Sequence, residues 1–172
     1  MLILARAFRE LRFGELMEVY AGSNAEKASD WPDLPRDFAL SLAEQDFRQY
    51  LTEVFFRTPG AVCAVWEVSG TYVSALRLEP YRDGLLLEAL ETAPSQRKKG
   101  YAAALIREVQ RQLASHCAVK LYSHVGKRNA PSRKTHEKCG FQVISDHAVY
   151  INGSVDYRCD TLLCEIEKNP CI

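Results

Sequence analysis

The sequence lacks most of the features that declare a function at once. No stretch of it approaches the ~20 apolar residues of a membrane-spanning helix, and the longest apolar runs are strand-sized. The opening MLILARAFRE is too short in its apolar part, and charged too soon, for a secretory signal. Six cysteines, at 63, 117, 139, 159, 164 and 171, form no Cys-x-x-Cys pair and no framework spacing, so a reduced, cytoplasmic protein is expected. There is no Walker loop, no Rossmann fingerprint, no internal repeat and no low-complexity tract. Charge of either sign is not in excess: 22 Lys and Arg balance 22 Asp and Glu, which argues against a general nucleic-acid partner. His136 and Cys139 share a helix face, but no second pair of ligands lies near them, and no metal is expected.

What is present reads as one soluble globular domain, residues 1–166, with a tail at 167–172. Its charge is unevenly placed. Residues 97–138 hold eleven Lys and Arg against two Asp and Glu, so the remainder holds eleven basic and twenty acidic residues. A basic centre suits a polyphosphate ligand, and an acidic remainder is compatible with a cationic amine.

The stretch Leu85–Ala104 organises the chain. Leu85, Leu86, Leu87 and Leu90 read as a strand that Pro94 ends. Gly100 opens a helix whose apolar positions, Ala102, Leu105, Ile106, Val109 and Leu113, keep helical spacing to about His116. Between them stand Arg97, Lys98 and Lys99, three cations ahead of the positive end of a helix dipole, an arrangement suited to a pyrophosphate. Around this unit the patterns predict a first strand at Met1–Ala5, helices over Phe13–Asn24 and Arg36–Phe56, and a loop at Ala25–Pro35. Phe38, Leu42, Phe47, Tyr50, Leu51, Val54 and Phe55 are the expected core positions of the second helix. A hairpin follows, Ala61–Val68 and Thr71–Glu79. A strand at Val119–Ser123, reached through a helical crossover, should pair in parallel with the organising strand. A helix beginning near Pro131 stops at Gly140, and a last hairpin, Phe141–Ile151 and Ser154–Ile166, turns at Asn152-Gly153.

Two motifs resemble those of the general N-acetyltransferase superfamily. Arg97-Lys98-Lys99-Gly100-Tyr101-Ala102 resembles its acyl-coenzyme A loop, Gln/Arg-x-x-Gly-x-Gly/Ala. Asn129, Ser132, Gly140 and Phe141 fall on the slots of its second motif, in which His136 stands where Tyr is usual. The resemblance implies an α/β (α+β) fold: a mixed, mostly antiparallel sheet of about seven strands with a central parallel pair, flanked by about four helices. It implies transfer of an acetyl group from acetyl-CoA to a primary amine, by direct attack in a ternary complex. The amine would belong to a small molecule or a peptide, and the protein would be a monomer or homodimer without a nucleic-acid or membrane partner. A non-catalytic acyl-CoA-binding domain is the alternative.

By the same resemblance Thr92 and Ala93 would offer backbone groups to the pantetheine arm and the thioester. Residues Arg97 to Ala102 would wrap the pyrophosphate, and Asn129 would bond the pantetheine amide. An alkylammonium has a pKa of roughly 10, so the acceptor must lose a proton before attack. Glu88 and Glu91 are the candidate bases; three apart on a strand, they should face opposite sides, with at most one in the cleft. Glu91 is favoured as the nearer to the thioester end. His136 is the candidate acid for the coenzyme A thiolate. His116, His124 and His147 read as surface or hydrogen-bonded residues rather than catalytic ones. The acceptor's identity has no motif.

Overall fold

A computed structural model describes residues 1–168. Seven strands form one sheet: β1 Leu2–Ala5, β2 Val62–Val68, β3 Thr71–Tyr81, β4 Gly84–Thr92, β5 Val119–Gly126, β6 Gln142–Ser145 and β9 Cys159–Ile166. Their spatial order is β1-β2-β3-β4-β5-β9-β6. All neighbours are antiparallel except β4 and β5, the parallel pair expected from the helical crossover. Two short strands, β7 Ala148–Val149 and β8 Val155–Asp156, form a separate arm held by two rungs. The predicted last hairpin is thus divided: its outer end makes the arm, and its inner end sends β9 between β5 and β6.

Helices cover both faces. On one lie α1 Phe13–Val19, α2 Ala21–Ala28 and α3 Arg36–Glu53; on the other lie α4 Tyr101–Ala114 and α5 Ala130–Lys138. Among the described residues there are five helices rather than four, because the segment expected as one helix over Phe13–Asn24 breaks at Tyr20 (φ −89°, ψ 15°) and resumes as far as Ala28. The loop predicted from Ala25 therefore begins only after the helix. Sequence periodicity continues through such a break because Leu16, Val19 and Tyr20 are all buried. The second helix ends at Glu53, and Phe55–Arg57 is a single 3₁₀ turn. Phe38 and Val54, expected in the core, are each 53% exposed; Ala39 and Ala43 take the close-packed positions instead.

The sheet separates two cores. Leu76, Leu87, Leu105, Ile106, Leu121 and Leu162 are fully buried on the α4 face; Leu16, Leu51, Phe55 and Tyr72 are fully buried on the α1–α3 face. Local stops act as predicted. Gly140 (φ 86°) ends α5 in a Schellman arrangement, with Phe141 N–H donating to His136 C=O at 3.1 Å and Gly140 N–H to Glu137 C=O at 3.0 Å. The tail expected at 167–172 lies largely outside the described residues. No helix among the described residues is long and apolar enough to cross a membrane.

Candidate active site

The site is built on an irregularity in β4. Arg77 of β3 pairs with Glu88, but Ala75 pairs with Glu91, so two residues of β4, Ala89 and Leu90, lie opposite Leu76. Ala89 takes φ 50°, and its carbonyl accepts a 2.9 Å hydrogen bond from the buried Tyr20 hydroxyl. A left-handed alanine costs about 1 kcal/mol or more, and this bond helps to hold it there. The bulge has two consequences.

The first is a gap. Parallel pairing of β4 with β5 runs only from Gly84–Lys120 to Leu87–Ser123; beyond that rung the backbone of Glu88–Thr92 has no β5 partner. The second is a change of parity. Leu85, Leu87 and Leu90 face the α4 core, whereas Leu86, Glu88, Ala89 and Glu91 face the α1–α3 side. Glu88 and Glu91 therefore share a face, contrary to the expectation from strand alternation, because the extra residue between them restores the same side.

The two carboxylates are held differently. Glu88 lies 3.1 Å from Arg77 Nη2, and Arg77 is itself stacked among Phe47, Tyr50 and Phe55. Glu91 lines a cavity of about 320 Å³ between α2, α3 and β4, with Tyr20, Ser23, Asn24, Phe47 and Arg77 around it. Burial raises the Glu91 carboxyl to about 7, against the opposing pull of Arg97 and of the Ser23 backbone N–H.

The cationic loop leaves the end of β4 through a 3₁₀ turn, Pro94–Gln96, and enters α4 at Gly100 (φ 83°). Lys98 is also left-handed (φ 64°). Arg97, Lys98, Lys99 and Gly100 are exposed, and no side chain caps the start of α4. First-turn amides of Tyr101 and Ala102 are thus available to an anion. Arg97 turns back, its Nε donating to Thr92 C=O at 3.3 Å, and Lys99 Nζ donates to Gln96 Oε1 at 2.9 Å. Ala93 is buried with its N–H already donated to Val73 C=O at 3.0 Å, so the backbone donor expected of it is committed within the sheet.

On the α4 face, Asn129 is the N-cap of α5, its Oδ1 accepting from Ser132 N–H at 3.1 Å. His136 is 1% exposed. Its Nδ1 lies 2.8 Å from Ser132 C=O, which makes Nδ1 the protonated nitrogen and leaves Nε2 to accept from Ser123 Oγ at 3.0 Å. Burial lowers its pKa below the ordinary 6.5, so the ring is neutral at pH 7. Ser123 belongs to the last β4–β5 rung, which places this pair at the base of the gap.

His124, read from sequence as a surface or hydrogen-bonded residue, is neither. It stands half-buried between Tyr81 and Tyr150 on the glutamate side. No spacing in the sequence signals this, since Tyr81 ends β3, His124 lies in β5 and Tyr150 follows β7. Among the described residues no group of three or more His, Cys, Asp or Glu is gathered for a metal.

A splayed parallel pair beside a helix start preceded by cations is the architecture of the acetyltransferase fold, and the comparisons agree. The family model "Acetyltransferase (GNAT) family" matches residues 19–141, and the chain belongs to that family. No curated protein matches the sequence. Solved structures of the same fold include the ribosomal-protein-S18-alanine N-acetyltransferase from Escherichia coli, with TM-score 0.62 and 14% identity over 99% of this chain and 97% of that one. The PaiA N-acetyltransferase from Thermoplasma acidophilum, in complex with coenzyme A, gives TM-score 0.63 and 13% identity over 96% and 99%. An aminoglycoside 6'-acetyltransferase type Ii gives 0.63 and 16% over 98% and 99%.

Proposed function

We propose that the protein transfers an acetyl group from acetyl-CoA to a primary amine, by direct attack within a ternary complex. The observation that carries this is the uncapped start of α4, with Arg97, Lys98 and Lys99 before it, beside the gap between β4 and β5. The loop Arg97–Ala102 takes the pyrophosphate on backbone amides and cationic side chains. Thr92 and its β4 neighbours, without a β5 partner, bond the pantetheine and the thioester oxygen, and Asn129 and Ser132 border the arm from α5. That coenzyme A is bound by a relative of the same fold supports this placement.

The acceptor amine occupies the cavity lined by Glu91. With its carboxyl near 7, Glu91 is half ionised at neutral pH and takes the proton that the alkylammonium must lose. Glu88, paired with Arg77, stands beside the gap between β4 and β5. His136 is neutral, its ring proton donated to Ser132 C=O, and to serve as acid for the leaving thiolate it must first gain a proton at Nε2, which now accepts from Ser123 Oγ. The amine's carrier is a small molecule or an exposed peptide end, consistent with the amine substrates named for the related enzymes.

Thermal unfolding tests the donor assignment. Acetyl-CoA should raise the melting temperature where ATP does not, because a ligand bound only by the native state stabilises it by about 2.7 kcal/mol at a hundred times its Kd. Replacing Arg97, Lys98 and Lys99 together by Ala should shrink that rise while leaving the unliganded melting temperature close to wild type, since all three are exposed. No rise at millimolar acetyl-CoA would sink the reading. If there is a rise, a thiol-release screen across amines then identifies the acceptor.

A further inference from the structure

His124 follows Ser123, the last residue of β5 paired with β4. Because Leu86 and Tyr122 are partners on the α1–α3 side, the next alternate residues, Glu88 and His124, stand on that same side at the two lips of the gap. The imidazole is held edge-on between Tyr81 (centroids 5.6 Å apart) and Tyr150 (5.3 Å). Its Nε2 is buried and has no hydrogen-bond partner among the described residues. The other three histidines each have a ring nitrogen bonded: His116 to Ser115 and Gln112, His136 to Ser132 and Ser123, His147 to Ser145 and Asp146. A buried polar atom left unpaired is destabilising and uncommon, and one at the lip of a reaction gap calls for a partner that arrives with the substrate.

We propose that His124 is a catalytic residue of the acetyl transfer, its Nε2 taking the proton that the acceptor nitrogen sheds as the amide forms. The inference rests on the acetyl-transfer reading above and adds to it the fate of the second proton. An alkylammonium first loses one proton to Glu91, giving the neutral amine. The nitrogen lone pair forms a bond to the thioester carbonyl carbon, the carbon–sulfur bond breaks, and its electron pair leaves with sulfur. The nitrogen then carries one hydrogen too many for an amide, and the His124 Nε2 lone pair accepts it. The thiolate takes up one proton, so a single proton is released overall.

The groups facing the ring suit this role. Tyr81 comes from β3, Arg82 from the turn after it and Tyr150 from the arm, and none supplies a carboxylate. Burial, reinforced by Arg82, keeps the imidazole below its ordinary pKa, hence neutral and able to accept. Tyr150 meets the His124 ring edge-on, and the arm that carries it is held by two rungs and by the Tyr81 hydroxyl donating to Val149 C=O at 2.5 Å. Because Nε2 is buried, a neighbouring side chain must move for the acceptor to reach it. Tyr150, on the two-rung arm outside the main sheet, is the neighbour placed to do so.

The test uses the full chain, with benzylamine as probe acceptor. His124→Gln and His124→Phe should each lower kcat for thiol release by about 10²-fold or more. The rise in melting temperature with acetyl-CoA should stay as in the wild type. Turnover close to wild type in both variants overturns the assignment. Should wild type not use benzylamine, a bisubstrate analogue, coenzyme A joined through a carboxymethyl group to benzylamide, replaces it. On binding, it should move the His124 ring resonances of histidine-labelled protein and leave those of His116, at the far end of α4, in place. An unmoved His124 with the analogue bound also overturns it. Failure of acetyl-CoA and the analogue alike to bind would instead remove the acetyl-transfer reading, and this inference with it.

Discussion

Glu91→Gln is expected to lower kcat/KM for the acceptor amine by about 10²- to 10⁴-fold at neutral pH, the range of general base catalysis. The amide is close in size to the carboxyl and keeps its place in the cavity, but it cannot take a proton. The pH profile carries the sharper signature. With the wild-type carboxyl at about 7, activity should rise with pH through a limb near that value, and the variant should lack the limb. The same substitution should act oppositely on stability. Raised in the fold from 4.5 to about 7, the group binds more protons in the native than in the unfolded chain across that window. Its contribution to stability is thus present in full below the unfolded value and lost as pH rises through the folded one. Since the carboxyl is partly solvated, the loss is discounted to about 1–2 kcal/mol. The melting-temperature advantage of Glu91→Gln over wild type should therefore grow between pH 5 and pH 8. A constant difference across that range would mean that the carboxyl is not raised.

Gly84→Ala should be the most damaging single methyl in the sheet. A Cβ there would lie 2.1 Å from the Lys120 carbonyl oxygen and 2.9 Å from its carbon, backbone atoms of the partner strand that have no rotamer in which to withdraw. Gly84 forms the first rung of the parallel pair, and Asp83 beside it holds both Lys120 Nζ and the Tyr122 hydroxyl at 2.6 Å. Relief of the clash must separate β4 from β5 at the end opposite the gap. A loss of about 3 kcal/mol or more is expected, with a fall in melting temperature of about 10 °C for a chain of this size. Because the gap is defined by where pairing stops, stabilisation by acetyl-CoA should weaken as well. A denaturant midpoint near wild type would contradict the register assigned to this pair.

The parts of the site legible in the sequence were those fixed by local chemistry. Gly100, Pro131 and Gly140 each serve a helix end within a few residues, and the cations before Gly100 are contiguous, so their placement survived folding. Strand, helix and strand in succession were enough to require a parallel pair. Parity within β4 was not legible. Alternation sends Glu88 and Glu91 to opposite faces, and only pairing with β3 and the Tyr20 bond to Ala89 reveal the extra residue between them. The break at Tyr20 was hidden for the same reason, since α1 and α2 both bury apolar residues. Phe38 and Val54 were misplaced because helix periodicity identifies a stripe but not how much of it the sheet is wide enough to cover. His124 had no local signal at all: its environment is assembled from residues 81, 124 and 150.

The position of β9 bears on how the chain is made. β1 has no partner until β2 has been synthesised some sixty residues later, as the Leu2–Trp66 rung requires. β6 has none until β9 exists, because β9 stands between β5 and β6. During synthesis the first five strands can assemble into a sheet whose β5 edge remains open, with its amides and carbonyls unpaired. Only β9 closes it, and closure depends on contacts far apart in sequence, the kind that form slowly. A nascent chain halted before residue 159 would therefore hold its cofactor motifs complete and its sheet unsealed. The strand that completes the sheet is thus the last of its seven to be synthesised.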